Sequence, residues 1–152
     1  MKQKENENLV KVFFDLSGTG WEWESESLWA LAEESTDIFK LDNIPLLAYG
    51  ISQGDIFRAE LSKDGVYYFK EVIKHEGNST FRINFKEIPD KKVLEEYLND
   101  FKTIGCNYEG NGATIYAIDV PSEVDQKKVV ELLMKGEASA LWDYEEGYVY
   151  KV

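Results

Sequence analysis

The spacing of apolar positions divides the chain into two halves with different periods. In the first half it follows the two-residue alternation of an extended backbone, and short turn-forming clusters interrupt it. Residues 9–16 (LVKVFFDL), 37–41 (DIFKL), 55–61 (DIFRAEL) and 66–75 (VYYFKEVIKH) read as strands rich in β-branched and aromatic residues. From Trp21 the run WEWESES alternates as well, which predicts a strand with Trp21, Trp23, Ser25 and Ser27 on one face and Glu22, Glu24 and Glu26 on the other. Ser17-Gly18-Thr19-Gly20, Gly54-Asp55 and Asp64-Gly65 supply the reversals. About five short strands with no helix between them bury a face only by curling, so residues 9–77 are expected to form a small antiparallel barrel-like module.

At Gly77-Asn78 the period changes. Residues 80–85 (TFRINF) still alternate, but Val93, Leu94, Tyr97, Leu98, Phe101 and Ile104 mark one face of a helix over 90–104, with Asp90 as N-cap and Gly105 as its C-terminal stop. Strands follow at 106–109 and 113–120 around Gly110-Asn111-Gly112. A second helix is predicted over 122–135, with Ser122 capping the Asp125 amide, and a last strand over 138–144. Strand, helix, strand, strand, helix, strand is the split βαβ plan, so residues 78–152 are expected to form a ferredoxin-like module packed on the barrel-like one. The fold class is therefore α+β, with residues 1–8 as a polar, flexible tail.

Charge narrows the function. Seventeen basic residues stand against 29 acidic ones, a formal net charge of −12, which repels the phosphates of duplex nucleic acid and anionic membranes. The acidity is spread over both halves. One cysteine and one histidine cannot build a zinc site without several carboxylates, and no calcium loop pattern occurs, so neither a metal nor a cofactor is expected. The opening residues contain no apolar signal segment, and no run of about eighteen apolar residues occurs, which leads to the expectation of a cytoplasmic location.

Candidate chemistry is sparse. Cys106 and His75 could pair for nucleophilic catalysis, but a small thiol directly after a helix stop is better read as a core residue, and no catalytic residue is assigned. Ser17-Gly18-Thr19-Gly20 lacks the lysine and following helix of a phosphate loop and reads as a hairpin turn. Aromatic residues set among acids are more informative. Trp21, Glu22, Trp23, Glu24 and Glu26, with Trp142, Asp143, Tyr144 and Glu145, are the candidate contacts for a basic partner, because Trp and Tyr anchor interfaces while carboxylates steer association.

Four stretches, VKVFFDL at Val10, WESESLW at Trp23, LDNIPLLAYGISQGD at Leu41 and WDYEEG at Trp142, together resemble a bacterial domain-of-unknown-function family, number 4265. The resemblance implies a shared small fold and brings no reaction, ligand or catalytic residue with it. Read physically, the Leu41 stretch places Leu46, Leu47 and Tyr49 as a plug for the barrel end, with Gly50 and Gly54 at its corners. Alternatively, Tyr49, Ser52, Asp55 and His75 form the rim of a ligand site. The resulting expectation is a non-enzymatic cytoplasmic binding protein of the immunity type that occludes a basic, nuclease-like protein. The alternative is a small-molecule sensor using the cleft between the modules.

Overall fold

The computed structural model describes residues 8–151. The expected tail, apart from Asn8, lies outside the described residues. Strands β1 (Leu9–Asp15), β2 (Ser25–Ala32), β3 (Ile38–Leu41), β4 (Ile56–Leu61) and β5 (Tyr67–Lys74) form a closed barrel in that order. Neighbours are antiparallel except at the closure, where β1 meets β5 in parallel through Val12↔Tyr67 and Phe13↔Tyr68. Alternation fills the interior: Val12, Phe14, Leu28, Ala30, Phe39, Leu41, Phe57 and Ala59 all point inward and are buried. Phe57 touches Phe14, Phe39 and Phe69 at ring separations of 5.7, 5.8 and 5.7 Å, so aromatic packing occupies the centre of the barrel.

A second sheet contains β6 (Ser79–Phe85), β7 (Asn107–Gly110), β8 (Ile115–Val120) and β9 (Trp142–Tyr148), in the order β7-β8-β6-β9 with every pair antiparallel. Helices α1 (Lys91–Thr103) and α2 (Gln126–Ala138) cover one face. Phe81, Ile83, Phe85, Tyr116, Ile118, Val120 and Trp142 meet Leu98, Phe101, Val129 and Leu133 in that core. The molecule is thus an α+β protein, with a closed five-stranded barrel, a second sheet and two helices. No helix among the described residues is long and apolar enough to cross a membrane.

Several local expectations are corrected. Residues 21–24 form no strand, and the phase of β2 is set by Leu28 and Ala30, which turns Glu26 inward and Ser25, Ser27 and Trp29 outward. Ser122 does not cap α2. A turn in which the Val124 amide donates to the Pro121 carbonyl uses up that segment, and the Asp125 side chain accepts the Lys127 amide instead. Asp90 occupies the N-cap position of α1 without a side-chain cap bond. Val93 is 40% exposed, off the stripe that docks α1 through Leu98 and Phe101. The last strand starts at Trp142 because α2 continues to Ala138, and Ala140, at φ 59°, makes the reversal.

The fit of α2 on β9 depends on one missing side chain. A Cβ on Gly136 would stand 2.1 Å from the Trp142 indole, which is fixed by its Nε1 donating 3.0 Å to the Leu133 carbonyl and by edge contacts with Phe85 and Tyr97. Gly136→Ala is therefore expected to cost about 1–3 kcal/mol through overpacking, despite alanine's better helix propensity. Urea denaturation measures it. An unchanged midpoint would show that the indole can shift freely.

Candidate functional site

The seam between barrel and second sheet is polar. Five of the six fully buried polar residues among those described, Ser52, Asp55, Thr80, Arg82 and Asp119, lie there. The alternation of β6, β8 and β9 explains this: their apolar faces go to the helices, which leaves Thr80, Arg82 and Asn84, Ala117 and Asp119, and Asp143 and Glu145 facing the barrel. Such groups need partners.

Several partners come from residues 42–55, a strap that runs from β3 to β4 between the two layers. Glu26 holds its middle: the amides of Leu46, Leu47 and Ala48 donate to the Glu26 carboxylate at 2.7, 2.9 and 2.8 Å. Trp21 Nε1 donates 3.2 Å to the Leu47 carbonyl, and Arg82 Nη1 donates 3.4 Å to that of Pro45. Leu47, Ala48 and Ile51 plug the barrel, with Leu46 partly buried against it. Tyr49, expected in the plug, turns outward instead: its ring lies 4.5 Å from the Arg82 guanidinium, and its hydroxyl donates to Glu145. Burial and then the Glu145 contact raise the Tyr49 pKa, which keeps the phenol a donor. Gly50, at φ 81°, supplies the left-handed turn that lets its amide donate 2.9 Å to the Gly147 carbonyl.

The end of the strap is equally committed. Asp55, fully buried, accepts the Ser52 amide at 2.9 Å, the Glu76 amide at 3.0 Å and pairs with His75 Nδ1 at 2.8 Å. Ser52 Oγ meets Thr80 Oγ1 at 2.7 Å, and the His75 ring stacks on Tyr148 at 3.9 Å. Ser52 and Asp55 are therefore not the exposed rim that the ligand-site expectation required. With Tyr49 and His75 they tie the strap to the second sheet.

A cavity of about 120 Å³ lies beside this seam. Its lining joins distant parts of the chain: Trp21 from the β1–β2 loop, Arg82 and Asn84 from β6, Ile115 from β8, and Asp143 and Glu145 from β9, with Ile83 and Tyr144 completing the wall. Register orders the floor, since Arg82 pairs with Glu145 and Asn84 with Asp143 across β6 and β9. Arg82 is 2% exposed and donates from Nε to Glu145 at 2.9 Å. Its Nη2 is the one buried side-chain polar atom among the described residues without a partner. Asp143 is also bridged by Lys86 at 3.0 Å in an exposed pair.

Of the nine residues expected to contact a partner, Trp21, Asp143 and Glu145 converge on this cavity, and Tyr144 borders it while packing on the helix-facing core. Trp23, 43% exposed, packs 6.2 Å from Trp21, and Glu22 and Glu24 are exposed beside it. Two residues leave the set. Trp142 is 3% exposed and belongs to the helix-facing core, because β9 alternation sends it away from Asp143. Glu26 is occupied by the strap amides. Arg82 was not anticipated, although the polar alternation Thr80, Arg82, Asn84 carries the signal of a sheet face that meets something polar.

Other chemistry is limited. Cys106 is buried, and burial followed by the Asp119 charge pushes its thiol up to about 12, so it is protonated at neutral pH. No group of three or more His, Cys, Asp or Glu among the described residues is placed to hold a metal ion.

The family model described as "Domain of unknown function (DUF4265)" matches residues 26–144. The chain belongs to this family. No curated protein matches the DUF4265 chain. It is similar to a crystal structure of a hypothetical protein from Neisseria gonorrhoeae, with 20% identity, a TM-score of 0.74 and coverage of 95% of this chain and 96% of that one. At that identity the likeness speaks for the fold alone. The match to the DUF4265 model spans the strap and most of the cavity floor, and the stretch at Leu41 that resembled the family is the strap itself.

Proposed function

We propose that this DUF4265 protein is a non-enzymatic cytoplasmic binding protein of the immunity type, which captures a basic protein partner at the cavity and its acidic, aromatic surround. The observation that carries the reading is the convergence on one cavity of Trp21 with Asp143 and Glu145, which lie more than 120 positions further along the chain. Trp23, Glu22 and Glu24 extend it as exposed surface. An aromatic wall beside carboxylates suits a cationic guest, and the net charge of −12 favours fast encounter with a basic protein. In this reading residues 9–77 form the barrel-like module and residues 78–152 a ferredoxin-like one. The order β7-β8-β6-β9, with antiparallel neighbours and both helices on one face, supports that assignment.

Kinetics with the partner recovered by pull-down test the reading. Association should slow as salt rises, since screening shortens the steering field to about 8 Å at physiological ionic strength. The double variant Glu22→Lys, Glu24→Lys should associate about tenfold more slowly with little change in dissociation. Trp23→Ala should dissociate faster and lose about 2 kcal/mol of binding. Unchanged kinetics in both variants at low salt, or no recoverable basic partner, would remove the proposal.

A further inference from the structure

We propose that the cavity is a socket for an arginine side chain. The inference rests on the basic-partner reading above and names the group that enters.

The volume sets the scale. About 120 Å³ is well below the ~300–1,000 Å³ of ordinary small-molecule sites, but it can take the end of one long side chain. The lining then selects its chemistry. Trp21 offers an indole wall, held by the Nε1 bond to Leu47, and Ile115 lines the cavity as a second apolar residue. A flat, weakly hydrated cation suits such walls, because a guanidinium stacks on an aromatic face while an ammonium must first shed a tight water shell.

Acceptor spacing gives the same answer. Asn84 and Asp143 are direct cross-strand partners facing the barrel, which sets their Cβ atoms about 5 Å apart. An ammonium needs its acceptors gathered around one point. A guanidinium presents donors along its edges and can reach the Asp143 carboxylate and the Asn84 side-chain oxygen together. Glu145 contributes charge rather than a free acceptor edge, since it already receives Arg82 and Tyr49.

Two cations oppose the guest, and each is already paired with a carboxylate. Arg82 in the floor is partly neutralised by Glu145, so that two carboxylates of the lining, Asp143 and Glu145, stand against one guanidinium. Lys86 bridges Asp143 in an exposed pair, which solvent screening keeps weak and which an incoming bidentate arginine can displace.

The test uses the intact protein and two minimal probes, Nα-acetylarginine amide and Nα-acetyllysine amide. Each is titrated while the indole N–H resonances of the four tryptophans are followed, with Trp21 assigned through Trp21→Phe. The arginine derivative should move the Trp21 signal along a saturating curve and leave the Trp142 signal unmoved. The lysine derivative should bind at least about tenfold more weakly. Asp143→Asn, an exposed change that leaves the fold intact, should weaken the arginine response about tenfold, whereas Glu131→Gln on the surface of α2 should leave it unchanged. Equal affinities for the two probes would overturn the arginine assignment while leaving the basic-partner reading in place. If neither probe moves Trp21, the socket is overturned, and partner capture would have to rest on Trp23, Glu22 and Glu24 alone.

Discussion

Glu26→Ala is expected to lower stability by about 3–5 kcal/mol, one of the largest losses available from a single polar side chain in this protein. Three consecutive strap amides donate to this one carboxylate. Each is a charge-assisted bond, and an amide that loses its partner in a partly buried position costs about 1–3 kcal/mol, less where water can enter. The strap also links the layers and steadies the cavity, because its Pro45 carbonyl receives Arg82 of the second sheet and its Leu47 carbonyl receives Trp21 of the cavity lining. Loosening residues 46–48 should therefore reach the cavity. Glu26→Gln keeps one acceptor oxygen but turns an amide donor towards backbone donors, so its loss should lie between wild type and alanine. Urea denaturation with amide hydrogen exchange measures both consequences. A wild-type midpoint in Glu26→Ala, with residues 46–48 still protected, would show that the strap is held by its apolar plug and not by the carboxylate.

The same residue shows where the sequence was legible and where it was not. Alternation identified four of the five barrel strands, and the change of period at Gly77 separated them from α1 and α2, because core-facing positions repeat with the geometry of each element. Leu47, within the strap, was recognisable as core for a similar reason. WEWESES misled, since it alternates as written, yet residues 21–24 are not extended in a sheet, and only Leu28 and Ala30 further on define the phase that turns Glu26 inward. Around Trp142 the error was of the opposite kind. Trp142 and Asp143 were grouped as one surface although adjacent residues of a strand face opposite ways. Arg82 was hidden for a different reason. A charged residue on a strand ordinarily faces water, and nothing local to TFRINF shows that Pro45, Tyr49 and Glu145 will close over it.

Asp119 belongs with Arg82 in this respect, and it yields the second large effect. Within ATIYAIDV it looks like the polar end of a strand, yet it is 1% exposed on the barrel-facing side of β8. Burial pushes its pKa from an ordinary 3.8 up to about 6. Hydrogen bonds from Asn78 and Asn107 oppose the rise, and the nearby Asp55 charge adds to it. The folded protein thus binds this proton more tightly than the unfolded chain does, so the contribution of Asp119 is fully present below about pH 4 and is lost as pH rises to about 6. The loss amounts to about 3 kcal/mol. Asp119→Asn carries no charge to desolvate and still accepts the Asn78 amide, so at pH 8 it should be more stable than wild type by up to that amount, with the advantage disappearing near pH 4. Denaturation midpoints of the two proteins, measured across pH 4–8, should converge at the acid end. Parallel curves, or a variant less stable at pH 8, would mean that the ionised carboxylate is stabilised at the seam by its asparagine partners rather than tolerated there.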